Sequence, residues 1–388
     1  MVRLGIESLI SNTHDRIAGE RIGLVTNPSG VTRNLTPTID LLFTDDDVEL
    51  ARLFAPEHGI RGNAQADVDI GESVDEQTGL PVYSFNGDNN TELPEKLANL
   101  DTLIYDMQDI GCRFYALIYT LSRALEGVAD TDTRLLVLDR PNPLGPLEAV
   151  GNLAPPLGAS PANGYELPVV HGMTVGELAS YFNDEYDIGA SVEILEMDGW
   201  SRDMWFDQTD LPWVLPSPNM PTLTTATLYP GTCFFEGTNL SEGRGTTKPF
   251  ELVGAPWIDA DEWSQTLNSY DLPGVGFRPA YFTPMFSKHE RRDIEGVQVH
   301  ILDRDTIDPV NVGITMVLSA FTSYPEADWL HMGDEYFIDQ LSGGSHLRKI
   351  VEDASSEVDA SDMYRSLRQY WSDALDEFVE TSSDYIRY

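Results

Sequence analysis

The sequence predicts an α/β fold built on a largely parallel sheet, and three observations carry that reading. Short runs rich in β-branched residues and leucine alternate with amphipathic stretches through the first half of the chain, as strand and helix units do when they wind into a parallel sheet. Four of those runs are followed at once by polar residues with Gly or Pro. The length of 388 residues, with 41% apolar and 10% aromatic side chains, is enough to bury a core and suggests about two domains.

Taken in order, Arg21 to Val25 reads as the first strand and leaves into Thr26-Asn27-Pro28-Ser29-Gly30. Val48 to Phe54 leads into Ala55-Pro56-Glu57-His58-Gly59, Thr102 to Tyr105 into Asp106-Met107-Gln108-Asp109, and Arg134 to Leu138 into Asp139-Arg140-Pro141-Asn142. In open parallel sheets the carboxyl ends of the strands share one edge, and ligands bind in the crevice outside it. Four polar exits therefore predict one shared cleft. Ordinary turn chemistry explains the Gly and Pro, but not the concentration of Glu57, His58, Asp106, Asp109, Asp139 and Arg140.

Residues 144–170, rich in Pro, Gly and Ala, read as a long irregular connection. A helix begins at Thr174, where Thr174 and Glu177 fit a capping box. A strand over Val192 to Leu195 precedes a second loop-rich region, Leu211 to Pro256, which includes Pro216 to Pro221; loops of this length within a domain are usually functional. The remainder holds a strand around Val297 to Leu302. It ends in a helix whose apolar Met363, Leu367, Trp371, Leu375 and Phe378 recur at spacings of three and four and mark a packed face.

Acidic residues number 64 against 24 basic ones, for a formal charge of −40. Such a chain repels phosphate backbones and anionic lipid, so neither nucleic acid nor membrane is an expected partner. Only four lysines stand beside twenty arginines, and the carboxylates are dispersed through every segment. That pattern resembles proteins of salt-loving organisms, whose self-repelling surfaces need screening. The start lacks a charged and apolar secretory leader, and no run of eighteen apolar residues is present, so a cytoplasmic location is expected. Cys112 and Cys233 are too few for a disulfide framework or a zinc cluster and read as small buried hydrophobes.

Glu57, beside apolar Phe54 to Pro56, has the setting in which desolvation raises a carboxyl pKa and makes a general acid, although the same residue equally suits the cap of a following turn. Asp106, Gln108, Asp109 and Arg113 crowd one exit and Asp139-Arg140 another. Paired carboxylates near arginine suit glycoside hydrolysis, and they also suit a structural ion-pair network. His171, before Gly172 and the helix entry, is placed to donate to a substrate oxygen. No metal-ligand spacing stands out, so neither metal nor cofactor is expected. The run Glu236 to Thr247 has three glycines but not the Gly-Lys-Ser/Thr ending of a phosphate cradle. Its hydroxyl and amide groups suit sugar hydroxyls better.

Together these strings resemble the exo-β-N-acetylmuramidase family of glycoside hydrolases. The resemblance rests on Glu57-His58-Gly59-Ile60-Arg61-Gly62, on Asp75 with Thr78 to Tyr83, and on Asp106 to Gly111 with Arg113-Phe114-Tyr115. It continues through Asp139 to Pro143, His171 to Thr174 with Gly176 to Leu178, Pro216 to Thr222 and Tyr229 to Trp257, and so covers nearly the whole chain in order. Residues 147–163 follow the family's glycine-rich continuation only loosely.

The resemblance implies a Rossmann-like catalytic domain (1–240), a smaller C-terminal α/β domain (241–388) completing the cleft, and release of terminal N-acetylmuramic acid or a related 2-acetamido sugar. It maps the leading catalytic glutamate onto Glu57, with His58, Asp106 and Asp109 as further catalytic candidates. Arg61, Gln108, Arg113, Asp139, Arg140, Asn142, His171, Asn219, Glu236, Asn239 and Arg244 are the expected substrate-binding residues. The nucleophile is either a second carboxylate or the sugar's own acetamido group. A carbohydrate-binding protein without catalysis is the alternative. A nucleotide-dependent oxidoreductase is disfavoured because Asn27-Pro28-Ser29-Gly30 stands where a Gly-x-Gly-x-x-Gly would follow the first strand.

The composition makes one prediction directly: the melting temperature rises as KCl is raised from low to molar concentration. A melting series that is flat or falls over that range rules out the salt-adapted reading.

Overall fold

The structure, a computed structural model, describes residues 1–56, 58–62, 71–85, 93–155, 165–354 and 360–388. Its N-terminal part carries α1 (Gly5–Asn12), β1 (Arg21–Thr26), α2 (Thr38–Phe43), β2 (Glu49–Ala55), β3 (Ser73–Val74), β4 (Pro81–Ser84), α3 (Leu93–Leu97), β5 (Thr102–Asp106), α4 (Ala116–Ala129), β6 (Arg134–Leu138), α5 (Val175–Glu185) and β7 (Val192–Leu195). These strands form one sheet in the order β3-β4-β2-β1-β5-β6-β7. All neighbours pair in parallel except β3, which runs antiparallel at the edge. Counting only the parallel strands, the spatial order is 3-2-1-4-5-6, the doubly wound Rossmann order. The switch point, where the winding reverses, lies between β1 and β5.

Alternation along the strands sends side chains to two faces. Ile22, Leu24, Ile104, Leu136 and Leu138 pack with Leu4, Ile6 and Leu9 around α1 and with Ile39 and Leu42 of α2. Val25, Leu103, Tyr105, Leu135 and Val137 face α3, α4 and α5 on the other side. The capping box expected at Thr174 is formed: Thr174 N–H donates to Glu177 Oε2 at 2.8 Å, and Glu177 N–H returns to Thr174 Oγ1 at 3.3 Å.

The C-terminal part carries α6 (Leu223–Thr232), β8 (Leu252–Ala255), α7 (Ala260–Ser269), β9 (Val275–Phe282), β10 (Ile294–Ile301), α8 (Pro309–Ser323), the short hairpin β11 (His331–Met332) and β12 (Glu335–Tyr336), α9 (Phe337–Ser342), α10 (His346–Asp353) and α11 (Ala360–Ser382). β8, β10 and β9 form a small antiparallel sheet. Met363, Leu367, Trp371 and Phe378 of α11 are buried as their spacing predicts, and so are both cysteines. Among the described residues, no helix is long and apolar enough to cross a membrane.

The region expected to be loop-rich, Leu211 to Pro256, also contains α6 and β8. Helix α6 (LTTATLYPGT) has eight of its residues buried and includes Pro230. A helix enclosed on nearly all sides has no polar face to alternate with, so the periodic signal is missing. Its closest neighbour is α8: a side-chain carbon at Gly231 would overlap the Pro309 carbonyl, and one at Gly313 would overlap Gly231. The core of the sheet's second face continues without interruption through Phe114, Tyr229, Phe234, Val310 and Trp371, so both parts share one hydrophobic interior.

Because the α6–α8 contact has no room for a methyl group, Gly313→Ala should lower the unfolding free energy by about 1–3 kcal/mol. Denaturant melts at fixed salt measure this; an unchanged midpoint contradicts the close packing.

Candidate active site

The carboxyl edge of the large sheet is held by a buried ion pair. Asp106, the last residue of β5, is 0% exposed, and Arg140, two residues past β6, is 4% exposed. Arg140 Nε donates to Asp106 Oδ1 at 2.6 Å and Nη2 to Oδ2 at 2.9 Å, the two-pronged geometry in which a guanidinium best matches a carboxylate. Nη2 also reaches the Val31 carbonyl at 2.9 Å, and Thr38 Oγ1 donates to Asp106 Oδ2. Gly30 makes the turn after β1 possible, since a side-chain carbon there would overlap Thr26 Oγ1.

Around this pair runs a chain of hydrogen bonds along the switch point. Asn27 Oδ1 accepts from the N–H and Oγ of Ser29, and Ser29 Oγ accepts from Gln108 N–H at 2.9 Å. Gln108 Nε2 donates to the carbonyls of Asp109 (2.8 Å) and Pro141 (2.7 Å). Asn27 Nδ2 donates to the Pro216 carbonyl at 3.0 Å, which brings the Pro-rich 216–221 loop to the crevice. Asn219 in that loop is buried, and its amide makes no hydrogen bond among the described residues.

Asp109 accepts from Gly111 N–H at 2.7 Å through Oδ2, while its buried Oδ1 has no partner among the described residues. His171 Nε2 stands 3.3 Å from the same Oδ2 without a well-aligned bond. Its Nδ1 accepts from Met173 N–H at 3.2 Å, which leaves the ring proton on Nε2. The His171 side chain is 0% exposed and stands against Asp109 at the exit of β5.

Several other nominated residues are committed within the protein. Asp139 accepts from Arg140 N–H, Gly176 N–H, Thr174 Oγ1 and Tyr388 OH at 2.8–3.0 Å, with 0% exposure. Burial pushes its pKa up to about 6, against the pull of those bonds. Asn142 joins the Met173 carbonyl to Leu144 N–H, and Asn239 ties its loop to Glu326 and Asp328. Arg113 is buried among apolar groups, donates to the Leu341 carbonyl at 2.7 Å, and has its pKa lowered to about 10 by desolvation.

Arg61 forms a two-pronged pair with Asp75. Burial alone would raise the Asp75 pKa, but the bonds from Arg61 and Thr78 outweigh it and hold the carboxyl below its ordinary value. The glycine-containing run 236–247 is braced by charge: Arg244 pairs with Glu236 and Glu242, and Lys288 Nζ reaches Glu242 at 2.7 Å. That ammonium also sits 2.6–2.9 Å from the carbonyls of Phe235, Thr238 and Leu240.

Glu57 lies outside the described residues; His58, which follows it, is half-buried and already engaged in an interaction. The crevice therefore brings together Asp106, Gln108, Asp109 and Arg140. Asn27, Ser29 and residues 206–210 were not nominated from sequence, whereas 211–214 open the loop-rich region expected to be functional. The signal for Asn27 and Ser29 was present, since they occupy the exit of the strand that borders a switch point. His14, Asp45 and Asp47 are, among the described residues, a group whose ligand atoms lie close enough for a cation. They precede β1 and β2 at the opposite end of the sheet, and His14 already bonds Asp45.

Asp139 generates a pH prediction. Its folded pKa stands above the ordinary carboxyl value, so the folded state binds the extra proton, and its contribution falls as pH rises from about 4 to about 6. Relative to Asp139→Asn, the wild type should lose about 3 kcal/mol of stability between pH 4 and pH 7. Parallel melts of the two proteins measure the difference, and a pH-independent gap contradicts it.

Comparison with known proteins supplies the family. Residues 22–224 match the N-terminal domain, and residues 227–388 the C-terminal domain, of exo-β-N-acetylmuramidase NamZ. The peptidoglycan β-N-acetylmuramidase NamZ of Bacillus subtilis (strain 168) is 44% identical over 388 residues, spanning 100% of this chain and 91% of that protein. A crystal structure of a DUF1343 family protein from Bacteroides fragilis NCTC 9343 aligns with a TM-score of 0.88 at 34% identity, covering 100% of this chain and 99% of the other. A second DUF1343 structure from that organism has a TM-score of 0.71 at 26% identity, with the same coverage. With both domains matched in order and the whole chain aligned, this protein belongs to the exo-β-N-acetylmuramidase NamZ family.

Proposed function

We propose that this protein is an exo-acting glycoside hydrolase that removes a terminal N-acetylmuramic acid, or a related 2-acetamido sugar, with Glu57 as general acid. The observation that carries the reading is 44% identity across the whole chain to a peptidoglycan β-N-acetylmuramidase. The sheet supports it, because the Glu57-His58 pair follows directly on β2, whose last residues are buried, and β2 adjoins the switch point through β1. Desolvation of a carboxyl raises its pKa toward the range that suits a general acid.

In the reaction the glycosidic oxygen takes the Glu57 proton as the bond from C1 to that oxygen breaks. Water then supplies a hydroxyl to C1 and returns a proton to the carboxylate, giving the free amino sugar and a shortened saccharide. Asp106 and Asp139 have both oxygens occupied and act as scaffold.

Glu57→Gln should reduce turnover of a chromogenic N-acetylmuramide by about 10²–10⁴-fold while circular dichroism stays unchanged. Retained turnover removes Glu57 from the mechanism. A wild-type protein that binds the sugar at molar salt without cleaving it is a carbohydrate-binding protein instead.

A further inference from the structure

We propose that the oxygens closing on Lys288 Nζ form a monovalent-cation site that the protein fills with its own ammonium, and that this tethered ion positions the 236–247 loop for the saccharide. The second half rests on the hydrolase reading above. Nζ stands 2.6 Å from the Phe235 carbonyl, 2.9 Å from that of Thr238, 2.7 Å from that of Leu240 and 2.7 Å from Glu242 Oε2. An ammonium has three N–H donors, so the three carbonyls take its hydrogen bonds and the carboxylate is held by charge. Glu242 is buried, and its Oε2 finds no well-aligned donor among the described residues. A ring of backbone carbonyls that replaces a hydration shell is how proteins bind potassium, and ammonium is close to potassium in size and equal in charge. Without a cation at the centre, three carbonyl dipoles and a buried carboxylate would face one another unpaired.

The segment that delivers the charge is shaped for it. Ser287 and His289, on either side of Lys288, are non-glycine residues in the left-handed region, at φ 69° and 58°, a conformation that persists only where neighbours enforce it. The enforcing contacts run to the same loop. His289 Nε2 lies 2.8 Å from the Asn239 carbonyl, and Met285 N–H donates to the Gly245 carbonyl at 2.9 Å. Residue choice agrees with this geometry: the chain has four lysines beside twenty arginines, and one of the four sits here. A planar guanidinium would not fill the centre of a ring that a compact ammonium fills.

The loop so held carries Glu236, Asn239 and Arg244, and its continuation reaches the crevice. Lys248 pairs with Glu251, and Glu251 Oε1 accepts from Thr222 and Thr225, beside the 216–221 loop that Asn27 draws to the switch point. Lys288 is therefore a positioning residue that acts through this loop.

The test removes the tether and returns the ion. Lys288→Ala empties the ring, whereas Lys288→Met fills it with an uncharged chain of similar reach. Both are compared with the wild type in ammonium, potassium and tetramethylammonium chloride at equal concentration, tetramethylammonium being too wide to enter. In that last salt Lys288→Ala should lower kcat/KM on a chromogenic N-acetylmuramide about tenfold or more, chiefly through KM. The amides of 236–247 should exchange about tenfold faster by hydrogen-exchange mass spectrometry. Ammonium or potassium should reverse most of both losses in Lys288→Ala and neither in Lys288→Met. Losses equal in all three salts, or rescue of Lys288→Met as complete as that of Lys288→Ala, overturn the cation site. Exchange that responds to the ion while KM does not overturns the positioning role. If Lys288→Ala unfolds in tetramethylammonium, folding restored by ammonium or potassium supports the site, and failure to fold in every salt overturns it. Should the wild type cleave no glycoside, the hydrolase reading fails by itself, and amide exchange in the same variants still decides whether the ring takes a cation.

Discussion

A single guanidinium ties three strand exits together. Arg140 leaves β6, clamps the carboxylate that ends β5, and reaches back to the Val31 carbonyl beyond β1. Taking both charges out of water is costly, and only a saturated geometry offsets it. That geometry is present: two parallel bonds from Arg140, a third from Thr38, and backbone anchoring of Asp106 through Thr26. The pair is less a source of stability than a fixed datum. Removing either partner leaves an unpaired charge in the interior, at a cost of about 3–5 kcal/mol, and frees the loops that line the crevice.

The same economy of partners runs through the rest of the edge. Asp139 gathers the amino end of α5 and the Tyr388 hydroxyl, while buried Glu177 accepts from Arg202 at 2.6 Å and Arg387 N–H at 2.8 Å. The segment after α11 therefore returns to brace the exit of β6. Most charged residues at the crevice are framework. Among the described residues, Arg140 Nη1, Gln108 Oε1 and the Asn219 amide are polar groups at the crevice that this framework leaves unused.

The strands were legible in the sequence because burial on two faces leaves dense apolar runs, and the polar residue that ends each run marks the edge where solvent begins. The observed β1, β5 and β6 coincide with the expected runs to within one residue, and β2 is displaced by one. The reach of the signal ended at α6, which is enclosed and so lacks a pattern, and at the fate of individual carboxylates. Whether Asp106 meets substrate or scaffold is decided by Arg140 and Thr38, 34 and 68 residues away, and local spacing carries no record of such pairings. His171 shows the same limit: its neighbours in sequence suggest an open helix entry, while the fold folds it inward against Asp109.

The hydrophobic interior that runs from the second face of the large sheet through Phe114, Tyr229 and Phe234 to Val310 and Trp371 has a mechanical consequence. Two-domain enzymes commonly shut on their substrates by hinging, which requires an interface thin and polar enough to slide or part. Among the described residues no such shear plane is present, because opening the two parts would expose the same apolar mass that holds each of them folded. Separating the two parts would therefore cost the fold its shared interior, so the crevice is set by packing that holds both parts together and not by a hinge between them.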